Sequence, residues 1–144
     1  VTAQKADFNG TWKLDRTKST LAEYTPILTR IEIKINGDSL LTERYYDTGD
    51  GQEYPFTENV ILDGKEYGIT IYDMPRKTKA SWSDQEGSLT VESVTTVNGD
   101  NGTEDFITKE SWKVDKTTNT FTITYKNKLG SNETEGTFIL NKSN

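Results

Sequence analysis

Near its N-terminus the chain has the sequence Phe8-Asn9-Gly10-Thr11-Trp12-Lys13-Leu14-Asp15, which contains the first predicted β-strand, Thr11 to Asp15. The rest of the sequence continues in the same manner. Apolar and polar residues alternate in short runs, about a dozen residues apart, with turn residues between the runs, and this is typical of an all-β sandwich or barrel. The sequence therefore predicts one β-hairpin after another.

The clearest predicted strand lies between Ile27 and Ile35. Ile31 and Ile33 share one face of it with Ile35, and charged residues occupy the other face. The residues that follow, Asn36-Gly37-Asp38, predict a hairpin turn because Asn-Gly tolerates the positive φ values that such turns require. The same pattern gives about ten strands, each expected to pair with its neighbour. We therefore expect an all-β, single antiparallel up-and-down β-barrel of about 8–10 strands, which could hold a small ligand or be filled by side chains.

Composition fits one β domain with an aromatic core. The 144 residues match the usual size of a single domain, and only 31% of them are hydrophobic. This hydrophobic fraction is low for a domain of this size. Three Trp, seven Tyr and five Phe partly compensate, because each aromatic side chain can bury about 150–250 Å². The interior is therefore expected to be rich in aromatic rings.

Charge and residue usage argue against several functions. A net charge of −6 disfavours nucleic acid or an anionic membrane surface as partner, since phosphates require a basic face. The sequence has no run near the ~20 apolar residues of a membrane-spanning helix. It has neither Cys nor His, and therefore lacks the commonest general base and transition-metal ligand. We expect no cofactor, no metal site, no nucleic-acid partner and no membrane span.

The first residues allow two interpretations. Val1-Thr2-Ala3-Gln4 resembles the end of a signal-cleavage site, with cleavage after Ala3, but an ordinary disordered terminus would look the same. We assign residues 1–7 to a disordered tail and residues 8–144 to the barrel domain. The resemblance described next favours export, so the expected location is secreted or periplasmic.

Several motifs resemble those of lipocalin-like barrels. They are Gly-Thr-Trp-Lys-Leu-Asp from residue 10, the Gly37-Asp38-Ser39-Leu40 hairpin, Leu-Asp-Gly-Lys-Glu-Tyr at 62–67, the hairpin of Trp112-Lys113-Val114-Asp115 with Thr120-Phe121-Thr122-Ile123, and Gly136-Thr137-Phe138. In this order they resemble uncharacterised secreted bacterial lipocalin-like domains of the calycin group, which also contains the fatty-acid-binding barrels. The resemblance implies that Gly10 allows close backbone approach and that Trp12 plugs one end of the barrel. Such barrels usually stack an Arg of the last strand on this Trp, and here the end of that strand offers Lys142.

Strand parity identifies two candidate charged residues. Glu110 shares a face with Phe106, Trp112 and Val114, and Arg44 shares a face with Tyr46. If these faces point inward, Glu110 needs a partner such as Arg44 or a ligand group, because an unpaired buried charge is costly. If the strands twist or bulge, both charges lie instead at a solvated rim.

The aromatic residues form the second candidate set. Rings such as Tyr45, Tyr54, Phe56 and Tyr67 could line a pocket or simply fill the core. The residues selected as ligand-binding are Arg44, Tyr46, Trp82, Phe106, Glu110, Trp112 and Tyr125.

No motif in the sequence indicates catalysis. The loops that begin at Asp47 and Asn98 are rich in oxygen ligands, yet neither has the spacing of a calcium loop. No phosphate loop or nucleophile–base pair is present. The favoured function is a non-catalytic binding protein, most simply a monomer, for a small apolar or amphiphilic ligand. The alternatives are a structural or interaction barrel filled by its own side chains, and an enzyme using carboxylate, Tyr or Lys chemistry.

Overall fold

The computed structural model describes residues 7–22, 25–83, 87–99 and 102–143. Within these ranges the chain forms no helix and ten strands, which are β1 (Gly10–Leu14), β2 (Ile27–Asn36), β3 (Ser39–Asp47), β4 (Glu53–Ile61), β5 (Tyr67–Ile71), β6 (Met74–Trp82), β7 (Leu89–Gly99), β8 (Gly102–Asp115), β9 (Thr120–Leu129) and β10 (Asn132–Lys142). The predicted all-β class is confirmed.

All ten strands belong to one antiparallel sheet in the order β4-β3-β2-β1-β10-β9-β8-β7-β6-β5. Consecutive strands pair with each other except β4 and β5, which are the two edges of the sheet, and β1 also pairs with β10. The sheet curls into a nearly closed up-and-down barrel, a fold compatible with the lipocalin-like expectation.

The barrel is completed at a seam where β4 faces β5 and β6 without a backbone ladder. Side chains join the two sides. Arg76 and Thr78 of β6 donate hydrogen bonds to the Glu58 carboxylate of β4, and the Tyr72 hydroxyl donates to the Pro55 carbonyl at 2.6 Å. Closure at the seam therefore depends on polar side-chain contacts, which are less continuous than a β-ladder.

Strand β6 begins earlier than the sequence indicates. In the sequence, Asp73-Met74-Pro75-Arg76 interrupts the alternation, which predicts a strand only from Thr78 to Ser83. In the structure β6 already begins at Met74, directly after a tight turn. Tyr72 and Asp73 both adopt positive φ, 47° and 65°, which is the backbone of a two-residue hairpin turn. Pro75 pairs with Thr70 before β6 starts to pair with β7 at Arg76. Proline is tolerated there because only one neighbouring strand is present.

One end of the barrel is filled by aromatic side chains, which we call the closed-end cluster. Its rings lie with centroids 5.3–6.0 Å apart, in tilted or edge-on pairs, and belong to Phe8, Trp12, Trp82, Trp112 and Phe121. The Trp12 indole N–H donates to the Phe8 carbonyl at 2.9 Å, which ties the segment before β1 to the cluster.

The residues around Trp12 fit this arrangement. Gly10 has φ +133°, a conformation that residues with a Cβ rarely adopt. The Lys142 ammonium lies 5.7 Å from the Trp12 ring centroid, within the range of a cation–π interaction. A basic residue of β10 therefore lies over the Trp12 ring.

The predicted tail falls mostly outside the described residues, since residues 1–6 are not among them and only Asp7 is. Phe8, the first residue assigned to the barrel, is fully buried. No helix formed by the described ranges has the length and apolar character needed to cross a bilayer.

Candidate functional site

The half of the barrel away from the closed-end cluster contains a cavity of about 580 Å³. Its walls come from the seam, from β3 and from the long strands β7 to β10. Twenty residues line it: Pro26, Arg44, Tyr46, Thr48, Tyr54, Phe56, Ile71, Tyr72, Met74, Arg76, Ser93, Thr95, Val97, Phe106, Thr108, Glu110, Tyr125, Asn127, Leu129 and Phe138. This volume lies within the range of about 300–1,000 Å³ that is usual for small-molecule sites.

A buried ion pair crosses the interior below the cavity. Arg44 of β3 and Glu110 of β8 belong to strands on opposite sides of the barrel, and they are 2% and 5% exposed. Both terminal guanidinium nitrogens of Arg44 donate to the carboxylate at 2.8 Å, a bidentate pair. The Trp112 indole N–H, from the closed-end cluster, donates to the same carboxylate at 2.9 Å. The pair therefore separates the cluster from the cavity. Of the two alternatives that the sequence leaves open for these charges, the structure shows the inward one.

A second ion pair closes the seam beside the cavity. Arg76 donates through Nε at 2.9 Å and through a terminal nitrogen at 3.3 Å to Glu58, and its other terminal nitrogen donates to the Thr95 hydroxyl at 3.2 Å. The Arg76 guanidinium carbon lies 5.0 Å from the Phe56 ring centroid. Four charged side chains thus form two bonded pairs in the interior.

The pKa values of both carboxyl groups reflect these partners. Burial raises the pKa of Glu110, but Arg44 outweighs burial and the pKa lies below its ordinary value. Burial acts in the same direction on Glu58, where the Arg76 charge holds the pKa below its usual range. Burial raises the pKa of Tyr46. Near neutral pH both glutamates are therefore ionised and the tyrosine is neutral.

Aromatic rings form much of the cavity wall. Tyr46 stacks on Phe56 with centroids 5.9 Å apart, and Tyr125 stacks on Phe138 at 4.4 Å. At the open end Tyr72 is 58% exposed and meets Tyr54 edge-on. These flat apolar surfaces surround a floor that carries the charged groups.

The structure separates the seven residues selected as ligand-binding into two groups. Five line the cavity, namely Arg44, Tyr46, Phe106, Glu110 and Tyr125. Trp82 and Trp112 belong to the closed-end cluster instead, and this placement differs from the expectation. Strand parity placed Trp112 on one face with Glu110, but it gives no position along the barrel axis for either tryptophan.

Several residues in or beside the cavity were missed by sequence reasoning. Glu58 shares the inward face of its strand with Tyr54 and Phe56, so its parity could have identified it. Asn127 could have been found in the same way from Tyr125. Arg76 was hidden in the segment expected to interrupt the strand.

Two other aromatic candidates lie away from the cavity. Tyr45 faces outward, with the Arg30 guanidinium carbon 3.9 Å above its ring centroid. The Tyr67 hydroxyl donates to Asp63 at 2.7 Å.

In the loop after β3, Asp47 accepts hydrogen bonds from the backbone N–H groups of Gly49 and Gly51, as a turn residue does. Asp100 and Asn101 of the other oxygen-rich loop lie outside the described residues, and the described part of the chain holds no acidic cluster suited to a metal ion.

Comparison with known proteins found no matching family model, no matching curated protein and no matching solved structure. Function is therefore inferred from the geometry of the cavity.

Proposed function

We propose that this protein binds a small apolar or amphiphilic molecule in its barrel cavity. The observation that carries the proposal is the cavity of about 580 Å³, walled by aromatic and aliphatic side chains. Burying apolar surface contributes about 25 cal/mol per Å², so a ligand enclosed by these walls would gain most of its binding free energy from burial.

The same cavity counts against the two alternatives. A barrel that acts only through its surface has no need of an interior left unfilled by its own side chains. The enzyme hypothesis needs an acid or base that changes protonation near neutral pH. Glu110 and Glu58 are each bonded to an arginine and have lowered pKa values, which makes both poor proton-transfer groups. We therefore propose binding without catalysis.

Titration with Nile red, an uncharged fluorescent dye, tests the proposal. Thr108→Trp places a large ring in the cavity, because Thr108 lines it between Ser93 and Asn127 of the neighbouring strands. We expect this variant to lose about tenfold or more in affinity for the dye. Lys109→Trp is the matched control, since it adds the same ring to the exposed outer face of the same strand.

Circular dichroism would confirm that both variants fold. If Thr108→Trp does not fold, Val97→Trp blocks the cavity nearer its mouth. Wild-type affinity in the folded cavity variants, or an absence of dye binding by the wild-type protein, would contradict the proposal.

A further inference from the structure

The charged groups at the cavity are already matched with one another. Among the described residues that line it, Arg44, Arg76 and Glu110 are charged, and Glu58 lies directly against Arg76. Each guanidinium forms a two-point contact with one carboxylate. The interior therefore has no net charge for a ligand to neutralise.

This balance decides which headgroup the cavity can hold. A carboxylate bound beside Arg44 would add a negative charge to a pair that is complete, and an ammonium beside Glu110 would add a positive one. An uncompensated charge in a buried site costs several kcal/mol. An uncharged headgroup avoids this cost.

Polar atoms of the cavity residues also lack partners. In the part of the chain that the structure describes, Arg44 Nε and Asn127 Oδ1 are buried without a hydrogen bond. One is a donor and the other an acceptor. An unsatisfied buried polar atom costs about 1–3 kcal/mol. Asn127 lines the cavity, so a ligand that bonds to Oδ1 once the amide turns toward it recovers part of that cost.

Tyr46 adds a further donor in the same region. Its hydroxyl oxygen accepts a hydrogen bond from Arg44 at 3.0 Å, which leaves the hydroxyl hydrogen available to donate. Asn127 lies one inward-facing position closer to the open end than Tyr125, and Tyr125 pairs with Glu110. Asn127 therefore lies just above the ion pair, at the floor of the cavity.

We infer that the ligand is an uncharged amphiphile with a hydroxyl headgroup, bound head-down at the cavity floor. The hydroxyl donates to Asn127 Oδ1 and accepts from Tyr46 or Arg44. The hydrocarbon part extends toward the mouth, along walls that include Phe106 and Leu129. This inference rests on the proposed function and names the ligand class for the same site.

Isothermal titration of the wild-type protein with three ligands of equal chain length tests the inference. Decanol, decanoate and decylamine are respectively neutral, anionic and cationic near neutral pH. We expect decanol to bind about tenfold or more tightly than either charged ligand. Tighter or equal binding of decanoate or decylamine would overturn the inference and leave the proposed function standing. If none of the three ligands nor Nile red binds, both fail.

A charge change at Asn127 provides a second, independent test of the headgroup position. Asn127→Asp keeps the shape of the side chain and adds one negative charge, so the preference should move from decanol to decylamine. Thr124→Asp adds the same charge to the exposed face of the same strand and should leave the wild-type order unchanged. An unchanged order in folded Asn127→Asp would contradict the assigned headgroup position. If that variant does not fold, the wild-type series still decides.

Discussion

At the scale of single residues, Glu110 shows how this barrel holds charge in its interior. The carboxylate receives two hydrogen bonds from Arg44 and one from Trp112. Replacing the whole buried pair with apolar side chains can be nearly neutral for stability. Removing one partner instead leaves the other charge buried and unpaired, which costs its full desolvation free energy. The pair therefore adds little net stability, but neither member can be removed alone without a large penalty.

Glu110→Gln should therefore lower stability in a pH-dependent manner. Breaking the pair near neutral pH is expected to cost about 3–5 kcal/mol. The folded-state pKa of Glu110 is lowered, chiefly by the charge of Arg44. Its contribution to stability is therefore complete above the pKa that a glutamate has in the unfolded chain, and is lost as the pH falls through the folded-state value. The difference between wild type and Glu110→Gln in free energy of unfolding should therefore shrink at acid pH.

Urea unfolding measured from neutral to strongly acidic pH would check this expectation. Glu135→Gln, on an exposed position of β10, is the control and should follow the wild-type curve. A difference for Glu110→Gln that stays constant, or grows as the pH falls, would show that the carboxylate is not held ionised by Arg44.

At the scale of strands, the packing of β10 against β9 fixes the position of Tyr125, which lines the cavity. Gly136 of β10 pairs with Tyr125 of β9. A Cβ on Gly136 would overlap the Tyr125 hydroxyl and the backbone carbonyl of Thr20. That hydroxyl accepts a hydrogen bond from the Ala22 N–H, so Tyr125 also holds the segment between β1 and β2. Glycine is required at position 136 because the Tyr125 hydroxyl and the Thr20 carbonyl leave no room for a Cβ.

Gly136→Ala should accordingly destabilise the protein and weaken dye binding together. Neither the Thr20 backbone nor the buried Tyr125 ring can move far, so we expect about 1–3 kcal/mol of overpacking cost. Gly68→Ala in β5 is the matched control, because its nearest neighbour would be an atom of Arg76 at an ordinary 3.8 Å. Thermal melts and Nile red titrations of both variants provide the measurement. Equal behaviour of the two variants would contradict the account of β10.

At the scale of the whole molecule, the Arg44–Glu110 pair divides the barrel interior into two parts. The closed-end cluster lies on one side of the pair and the cavity lies on the other. Alternation predicted most of the strands, and it left the inward position of both charges as one of two alternatives. Alternation has a period of two residues, and it therefore cannot place a side chain along the barrel axis. Trp112 follows Glu110 on the same face, yet the two lie at different heights. The seam contact of Glu58 with Arg76 depends on strand curvature, which local sequence does not encode.

Intermolecular NOEs would show whether a ligand lies inside the barrel, above this pair. The measurement uses isotopically labelled protein with unlabelled decanol. We expect NOEs from the alcohol chain to Phe106 and Leu129 in the cavity wall. NOEs confined to Leu41 and Ile61, the exposed aliphatic residues of β3 and β4, would place the alcohol on the outer surface and contradict the account.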